Sequence, residues 1–159
     1  MNQQNLSKWL KCITILVTIM LTVILFLVIP AYGRDIVCMN TRYSGWYMPW
    51  LSFVWLLGIP CYIVLVIFWG ICDEIRNDNS FSMKNAKALA IISKLAMVDS
   101  ILCFLGIVIF SMLQMMHISI LVLGILVVSV GIAISVIAAA LGHLVQKASK
   151  LKDENDLTI

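Results

Sequence analysis

Hydrophobic residues are grouped in four long runs that short polar segments separate. Crossing the hydrocarbon core of a bilayer takes roughly 20 mainly apolar residues as a helix, and each run is long enough. The spans are predicted at about residues 10–30, 48–72, 95–116 and 118–142. Only helices and closed barrels satisfy their backbone in lipid, and the runs lack the alternation of barrel strands. We therefore predict an all-α polytopic membrane protein, with four transmembrane helices bundled in a single domain.

Composition supports this fold class and excludes two others. The 159 residues are 62% hydrophobic and 12% charged, whereas soluble domains carry about a quarter charged residues. A water-soluble fold and a disordered chain are both excluded. The net charge of +3 is too small to indicate direct binding of nucleic acid, so the partner that the composition implies is the lipid bilayer.

The basic residues predict the orientation of the chain. Of 11 Lys and Arg, all but Arg34 and Arg42 lie before or at the start of the first span, between the second and third, or after the fourth. Those nine are Lys8, Lys11, Arg76, Lys84, Lys87, Lys94, Lys147, Lys150 and Lys152. The positive-inside rule then predicts cytoplasmic termini, a short cytoplasmic tail at 147–159 and an external loop at Ala31–Ser44. Trp50 and Trp69 stand roughly 28 Å apart along a helix, which matches the two membrane interfaces.

The third helix is predicted to be longer than the bilayer requires. With Ser82 as its N-cap, a helix reaching Met116 would extend roughly 50 Å. Residues 73–94 are therefore predicted to form a cytoplasmic loop and an amphipathic helical extension. Lys84, Lys87 and Lys94 fall within about 80° of one another on this helix. Such a basic face suits either anionic lipid headgroups or the docking of a cytosolic protein.

Asp99 is the acidic residue inside a predicted span. An intramembrane carboxylate is costly and is a candidate functional group. Counted from Met116, it lies about one turn inside the cytoplasmic boundary, at the predicted depth of His143 and Lys11. Asp99 and His143 are thus a candidate polar pair. The alternatives are a structural tether, a titrating or ion-binding group, and a carboxylate of the headgroup region without a special role.

Small residues predict where helices approach closely. Gly106 lies two turns beyond Asp99, and the fourth span carries Gly131, Ser135 and Ala139 at four-residue spacing. Such stripes allow close packing in lipid, either within the subunit or across a homodimer. Pro60 lacks a backbone donor and is predicted to kink the second span.

Motifs for catalysis and cofactor binding are absent from the sequence. It contains no C-x-x-C, no H-E-x-x-H, no P-loop and no glycine-rich dinucleotide fingerprint. His117 and His143 are 26 residues apart, roughly 39 Å along one helix, too far to share a ligand. We therefore predict no catalytic, cofactor-binding or metal-binding residues, and a protein that is not an enzyme.

The segment from Pro60 to Gly106 resembles a known family. Pro60-Cys61-Tyr62, a long apolar run and then Ile75-Arg76-Asn77-Asp78-Asn79-Ser80-Phe81-Ser82-Met83-Lys84-Asn85-Ala86 are similar to the YoaS-like bacterial four-span membrane proteins of unknown function. The chain length and the four spans agree. The resemblance implies the bacterial plasma membrane and offers no catalytic residues. Members are often encoded beside a short helix-turn-helix regulator, which implies a regulatory partnership at the membrane.

Two functions are consistent with these observations. The first is a non-enzymatic membrane protein that modulates or sequesters a cytosolic partner, such as a small helix-turn-helix regulator, through Lys84, Lys87 and Lys94. The second is a small oligomeric transporter, or an immunity or resistance protein against a membrane-active compound, in which Asp99 and the kink at Pro60 shape a pathway.

Overall fold

The structure, a computed structural model, describes residues 3–39, 41–114 and 116–156. Its helices are α1 (Gln3–Val23), a π-helical turn (Ile24–Val28), α2 (Ile29–Met39), a 3-10 helix (Thr41–Trp46), α3 (Tyr47–Arg76), α4 (Met83–Met112) and α5 (Ile118–Asp156). No strand occurs in these residues. Four helical stretches are long and apolar enough to cross a membrane: Gln3–Met39, Ser44–Arg76, Met83–Met112 and Ile118–Lys152. The predicted all-α fold with four spans is confirmed.

The first helical stretch continues through Pro30, where the sequence predicted that it would end. A π-helical turn precedes the proline, and Ile29 N–H donates to Ile24 O, five residues earlier. In this pattern the next donor would be the N–H of Pro30, which does not exist. Leu25 O is therefore left without a backbone partner, and the indole Nε1 of Trp55 donates to it at 3.1 Å. The predicted loop at Ala31–Ser44 is thus helical through Met39.

The ends of α4 and α5 differ in part from the prediction. Ser82 is the N-cap of α4, because its Oγ accepts from Asn85 N–H at 3.2 Å, so that prediction is confirmed. However, α4 ends at Met112, four residues before the predicted Met116. The fifth helix continues through most of the predicted tail to Asp156, and residues 157–159 lie outside the described residues. The α3 helix contains Pro60 within its 30 residues, and a kink there stays a prediction.

The helices pack side by side in chain order. In the described part of the chain, α1 approaches α3, α3 approaches α4 and α4 approaches α5, whereas α1 and α5 do not approach each other. The α4–α5 contact is the most extensive and the α3–α4 contact the least. A small core of Ile71, Ile92 and Ala138 joins the last three helices.

This antiparallel order gathers the two termini and the α3–α4 turn at one end. Nine of the 11 basic residues lie on the parts of the helices next to these termini and this turn, and we call this the lysine-rich end. Helix α2, the 3-10 helix and the α4–α5 turn form the opposite end. The grouping is what the predicted orientation requires, and the orientation itself stays a prediction.

Candidate functional site

The turn between α3 and α4 is held by a network of side chains at the lysine-rich end. Glu74 accepts from Lys84 Nζ at 2.5 Å and from Asn79 Nδ2 at 3.0 Å. Asn85 is 2% exposed, and its Nδ2 donates to Asn79 O and Ser80 O at 3.3 and 3.0 Å. Asp78 closes the turn with a positive φ of 57°. The polar motif that carried the family resemblance is therefore a structural lock that fixes where α4 begins.

A second polar contact ties the N-terminus to the end of α3. Ser7 is 1% exposed, and its Oγ donates to Cys72 O at 2.6 Å. Lys11 forms an ion pair with Asp73, and its Nζ also lies 4.8 Å from the centre of the Trp69 ring. Lys11 thus lies at the level of Trp69. The sequence placed it at the depth of Asp99, but the two side chains do not pair.

The three lysines of the predicted basic face differ in whether they form an ion pair. The Lys84 side chain is 76% exposed although it is paired with Glu74. Lys87 and Lys94 are exposed and take part in no ion pair among the described residues. On the helical wheel they point away from the buried positions of α4, which include Asn85, Ala86 and Ile92. Lys87 and Lys94 are consequently the freely available charges of this face.

Asp99 lies near the middle of the membrane-spanning region. Its Oδ2 is 4.0 Å from Cys61 Sγ, which places it level with the centre of α3. Cys61 follows Trp50 by 11 residues and precedes Trp69 by 8, roughly 16 Å and 12 Å along the helix. Measured between Trp50 and Trp69, Asp99 is deeper than the predicted depth of one turn inside the boundary. That prediction was counted from Met116, and the register between α3 and α4 places Asp99 deeper.

The two oxygens of Asp99 have almost no donors. Oδ1 is a buried atom without a hydrogen-bond partner. Oδ2 has the weak thiol donor of Cys61, whose Sγ also donates to Leu57 O at 3.6 Å. A buried polar atom without a partner is rare in folded proteins and requires a physical cause.

The structure does not join Asp99 to His143. Ser100, the residue after Asp99, packs against Gly131 of α5, where an added Cβ would lie 2.2 Å from Ser100 Oγ. Asp99 is therefore about level with Gly131. His143 follows Gly131 by 12 residues, roughly 18 Å further along α5. It is exposed, and no hydrogen bond or ion pair links the two side chains. The pairing fails because the helices are antiparallel in a register that the sequence does not state.

The predicted packing residues lie at two interfaces. A Cβ on Gly106 would lie 2.2 Å from the Phe53 ring, so this glycine admits Phe53 of α3. Ser135 Oγ donates to Ser93 O at 2.8 Å across the α4–α5 contact. Gly131 and Ser135 thus serve packing within the chain, while Ala139 is exposed. A homodimer stays a prediction.

Sequence reasoning missed a cleft at the end opposite the lysines. Gly33, Trp46, Tyr47, Trp50 and His117 are among its lining residues, and its volume is about 30 Å³. That is room for a few water molecules at most. His117 is half-buried, and its Nδ1 accepts from Ser119 N–H at the start of α5. Elsewhere, no group of three His, Cys, Asp or Glu side chains could hold a metal ion among the described residues.

Comparison with known proteins gives two matches. A family model described as "Protein of unknown function (DUF2975)" matches residues 33–159. The "Uncharacterized membrane protein YoaS" of Bacillus subtilis (strain 168) is 30% identical over 117 residues, which cover 71% of this chain and 73% of that protein. No solved structure matches. The predicted similarity to YoaS-like membrane proteins is confirmed.

Proposed function

Because the chain belongs to the DUF2975 family of membrane proteins of unknown function, we propose that it is a non-enzymatic protein of the bacterial plasma membrane that docks a cytosolic partner. The single observation that carries the proposal is the exposed pair Lys87 and Lys94, on a helix whose start is locked by Ser82 and Asn85. A rigid helix that displays unpaired positive charge suits a partner with an acidic surface.

The fifth helix adds to the same end of the molecule. Lys147, Lys150 and Lys152 are exposed on its last turns, and α5 packs along α4 with Gly142 against Ala86 and Leu89. The partner class that the family resemblance implies is a small helix-turn-helix regulator. Such a protein would be modulated by sequestration at the membrane, without any contact between this chain and nucleic acid.

Site-specific photocrosslinking in intact cells tests the docking. A photoreactive residue at position 87 should give a discrete adduct with a cytosolic protein, and Lys94→Glu should abolish it. Val98 lies on the same face of α4 about one turn beyond Lys94 and is 54% exposed, so a crosslinker there is the matched control and should give no such adduct. Lys84 is left unchanged, because its reversal would place two carboxylates together at Glu74.

Two results contradict the docking. Crosslinks at position 87 to lipid alone would assign the lysines to anionic headgroups. An adduct at position 87 that survives Lys94→Glu would show that the basic face does not recruit the partner. The orientation has its own test: an impermeant thiol reagent should label Lys152→Cys in opened cells and not in intact cells, with the native cysteines replaced.

The level of Asp99 favours a second candidate function, a small oligomeric transporter or a resistance protein. A carboxylate at mid-membrane is a common feature of ion and proton pathways. Here Asp99→Asn should abolish pH-dependent flux or resistance to a membrane-active compound, measured in cells that lack the native gene. Activity unchanged by this substitution would remove Asp99 from the pathway.

A further inference from the structure

Among the described residues, no cation and no strong hydrogen-bond donor lies beside the carboxyl of Asp99. Towards α3 its neighbour is the Cys61 thiol, at 4.0 Å. The hydroxyl of Tyr62, next to Cys61, is engaged with Thr22 Oγ1 at 2.8 Å. On α4 itself, Cys103 lies one turn further on and is buried.

Among the described side chains, no basic residue forms an ion pair with Asp99. Lys94 is five residues earlier on α4, about 140° away on the helical wheel, and it is exposed. Lys11 is paired with Asp73. The span of α5 that passes this level, from Ile118 to Leu141, contains no ionisable residue.

An ionised carboxylate in these surroundings would be expensive. At the bilayer centre a charged Asp is costly even where neighbours and water can adjust. A buried charge without a counter-ion or donor generally neutralises. A protonated carboxyl carries no charge and leaves Oδ1 with a much smaller demand for donors.

We propose that Asp99 is a proton-binding site at the α3–α4 interface, occupied while the two helices are packed and emptied when they separate. The reaction is the simple release of a proton from the carboxyl to water, which leaves a carboxylate. It does not depend on docking at Lys87 and Lys94 or on transport, and it can be measured on the purified chain.

Infrared spectroscopy observes the proton directly. The C=O stretching band of a protonated carboxyl should be present at neutral pH and vanish at alkaline pH in the unsubstituted chain. Asp99→Asn should lack it, and subtraction of the two spectra cancels the other carboxyls. A carboxylate signal from Asp99 throughout the neutral range would overturn the proposal.

Thermal unfolding in detergent supplies an independent measurement. A neutral Asp99 favours the packed state, so its contribution is present at low pH and is lost as the pH rises through the range of proton release. The unfolding temperature of the unsubstituted chain should therefore fall on going from pH 6 to pH 9 more than that of Asp99→Asn. Equal pH dependence in the two proteins would contradict the proposal.

Two further measurements distinguish a bound proton from a bound metal cation. Cys61→Ser offers Oδ2 a stronger donor than the thiol, so the carboxyl band should vanish at a lower pH, and this variant keeps the test valid should Asp99→Asn not fold. Replacing choline chloride by sodium chloride at fixed pH should change neither the band nor the unfolding temperature. Sodium-dependent stabilisation would make the site a cation site and refute occupation by a proton.

Discussion

The π-helical turn before Pro30 leads to a specific prediction for Trp55→Phe. Phenylalanine keeps an aromatic ring at position 55 but removes the indole donor that reaches Leu25 O at 3.1 Å. Measured side-chain hydrogen bonds between membrane helices are worth about 0.6–2 kcal/mol, and an unsatisfied buried carbonyl costs about 1–3 kcal/mol. We expect Trp55→Phe to lower the free energy of unfolding by about 1–2 kcal/mol.

Pro30→Ala separates this hydrogen bond from the packing of the ring. Alanine restores a backbone N–H at position 30, so the helix can satisfy Leu25 O by itself, either through Ala at 30 or through Ile29. In that background Trp55→Phe should cost about 1 kcal/mol less, because the substitution then removes only the packing of the larger ring and no needed hydrogen bond. Tyr47 still donates to the carbonyl of residue 30, so the contact between α2 and α3 is kept. The double-mutant cycle therefore isolates the donor.

Equilibrium unfolding in mixed micelles of a mild detergent and dodecyl sulfate, followed by far-ultraviolet circular dichroism, measures all four proteins of the cycle. Trp9→Phe is the control, because Trp9 is 66% exposed and its replacement should change stability by less than about 0.5 kcal/mol. The indole is not the donor that stabilises this turn if Trp55→Phe is neutral, or if it costs the same with alanine at position 30. Either result would mean that Leu25 O does not depend on the indole.

Three other substitutions test the interfaces, each by the same unfolding measurement. Gly106→Ala should destabilise the chain by about 1–3 kcal/mol, because its Cβ would meet an aromatic ring at 2.2 Å; Gly70→Ala, where nothing lies within 4 Å, should be neutral or stabilising by up to about 1 kcal/mol. Asn85→Ala removes two donated hydrogen bonds from a residue that is 2% exposed and should lower the free energy of unfolding by about 1–3 kcal/mol. An unchanged free energy would mean that Asn85 does not hold the α3–α4 turn. Lys11→Met should destabilise through the loss of the ion pair with Asp73, and exchanging the two charges should restore part of that stability; no recovery would mean that the pair is incidental.

The four spans could be predicted from the sequence because lipid leaves an apolar run of about 20 residues little choice but to be helical. The continuation of the first helix through Pro30 could not. A proline removes one helical hydrogen bond and often kinks or ends a helix, and another donor can satisfy the carbonyl that it deprives. Here the donor is Trp55, 25 residues later, and only the packed structure brings it to Leu25.

The sequence points to the residue of the candidate site, but not to its depth or its neighbours. An acidic residue is conspicuous in an apolar span, so the sequence alone singles out Asp99. Its depth and its partners depend on how far α4 slides along α3 and α5. That register is set by contacts such as the Phe53 ring over Gly106 and Ser100 against Gly131, which spacing within one helix does not reveal. The pairing with His143 was therefore wrong, and a functional role for Asp99 stays a prediction.

The α3–α4 interface, where Asp99 lies, is held by different contacts from those at the other two interfaces. Across α1–α3, side chains donate to backbone carbonyls, as Ser7 does to Cys72 O and Trp55 to Leu25 O. Across α4–α5, small residues let the backbones approach along most of the length of α4. Of the three interfaces, α3–α4 is the least extensive. Lys84 pairs with Glu74 beside the turn, and midway along the two helices the polar contact is the long one between Cys61 and Asp99. Separation of two helical hairpins, α1–α3 and α4–α5, should therefore cost least at the interface where the carboxyl lies, which is the motion that exchange of its proton with water requires.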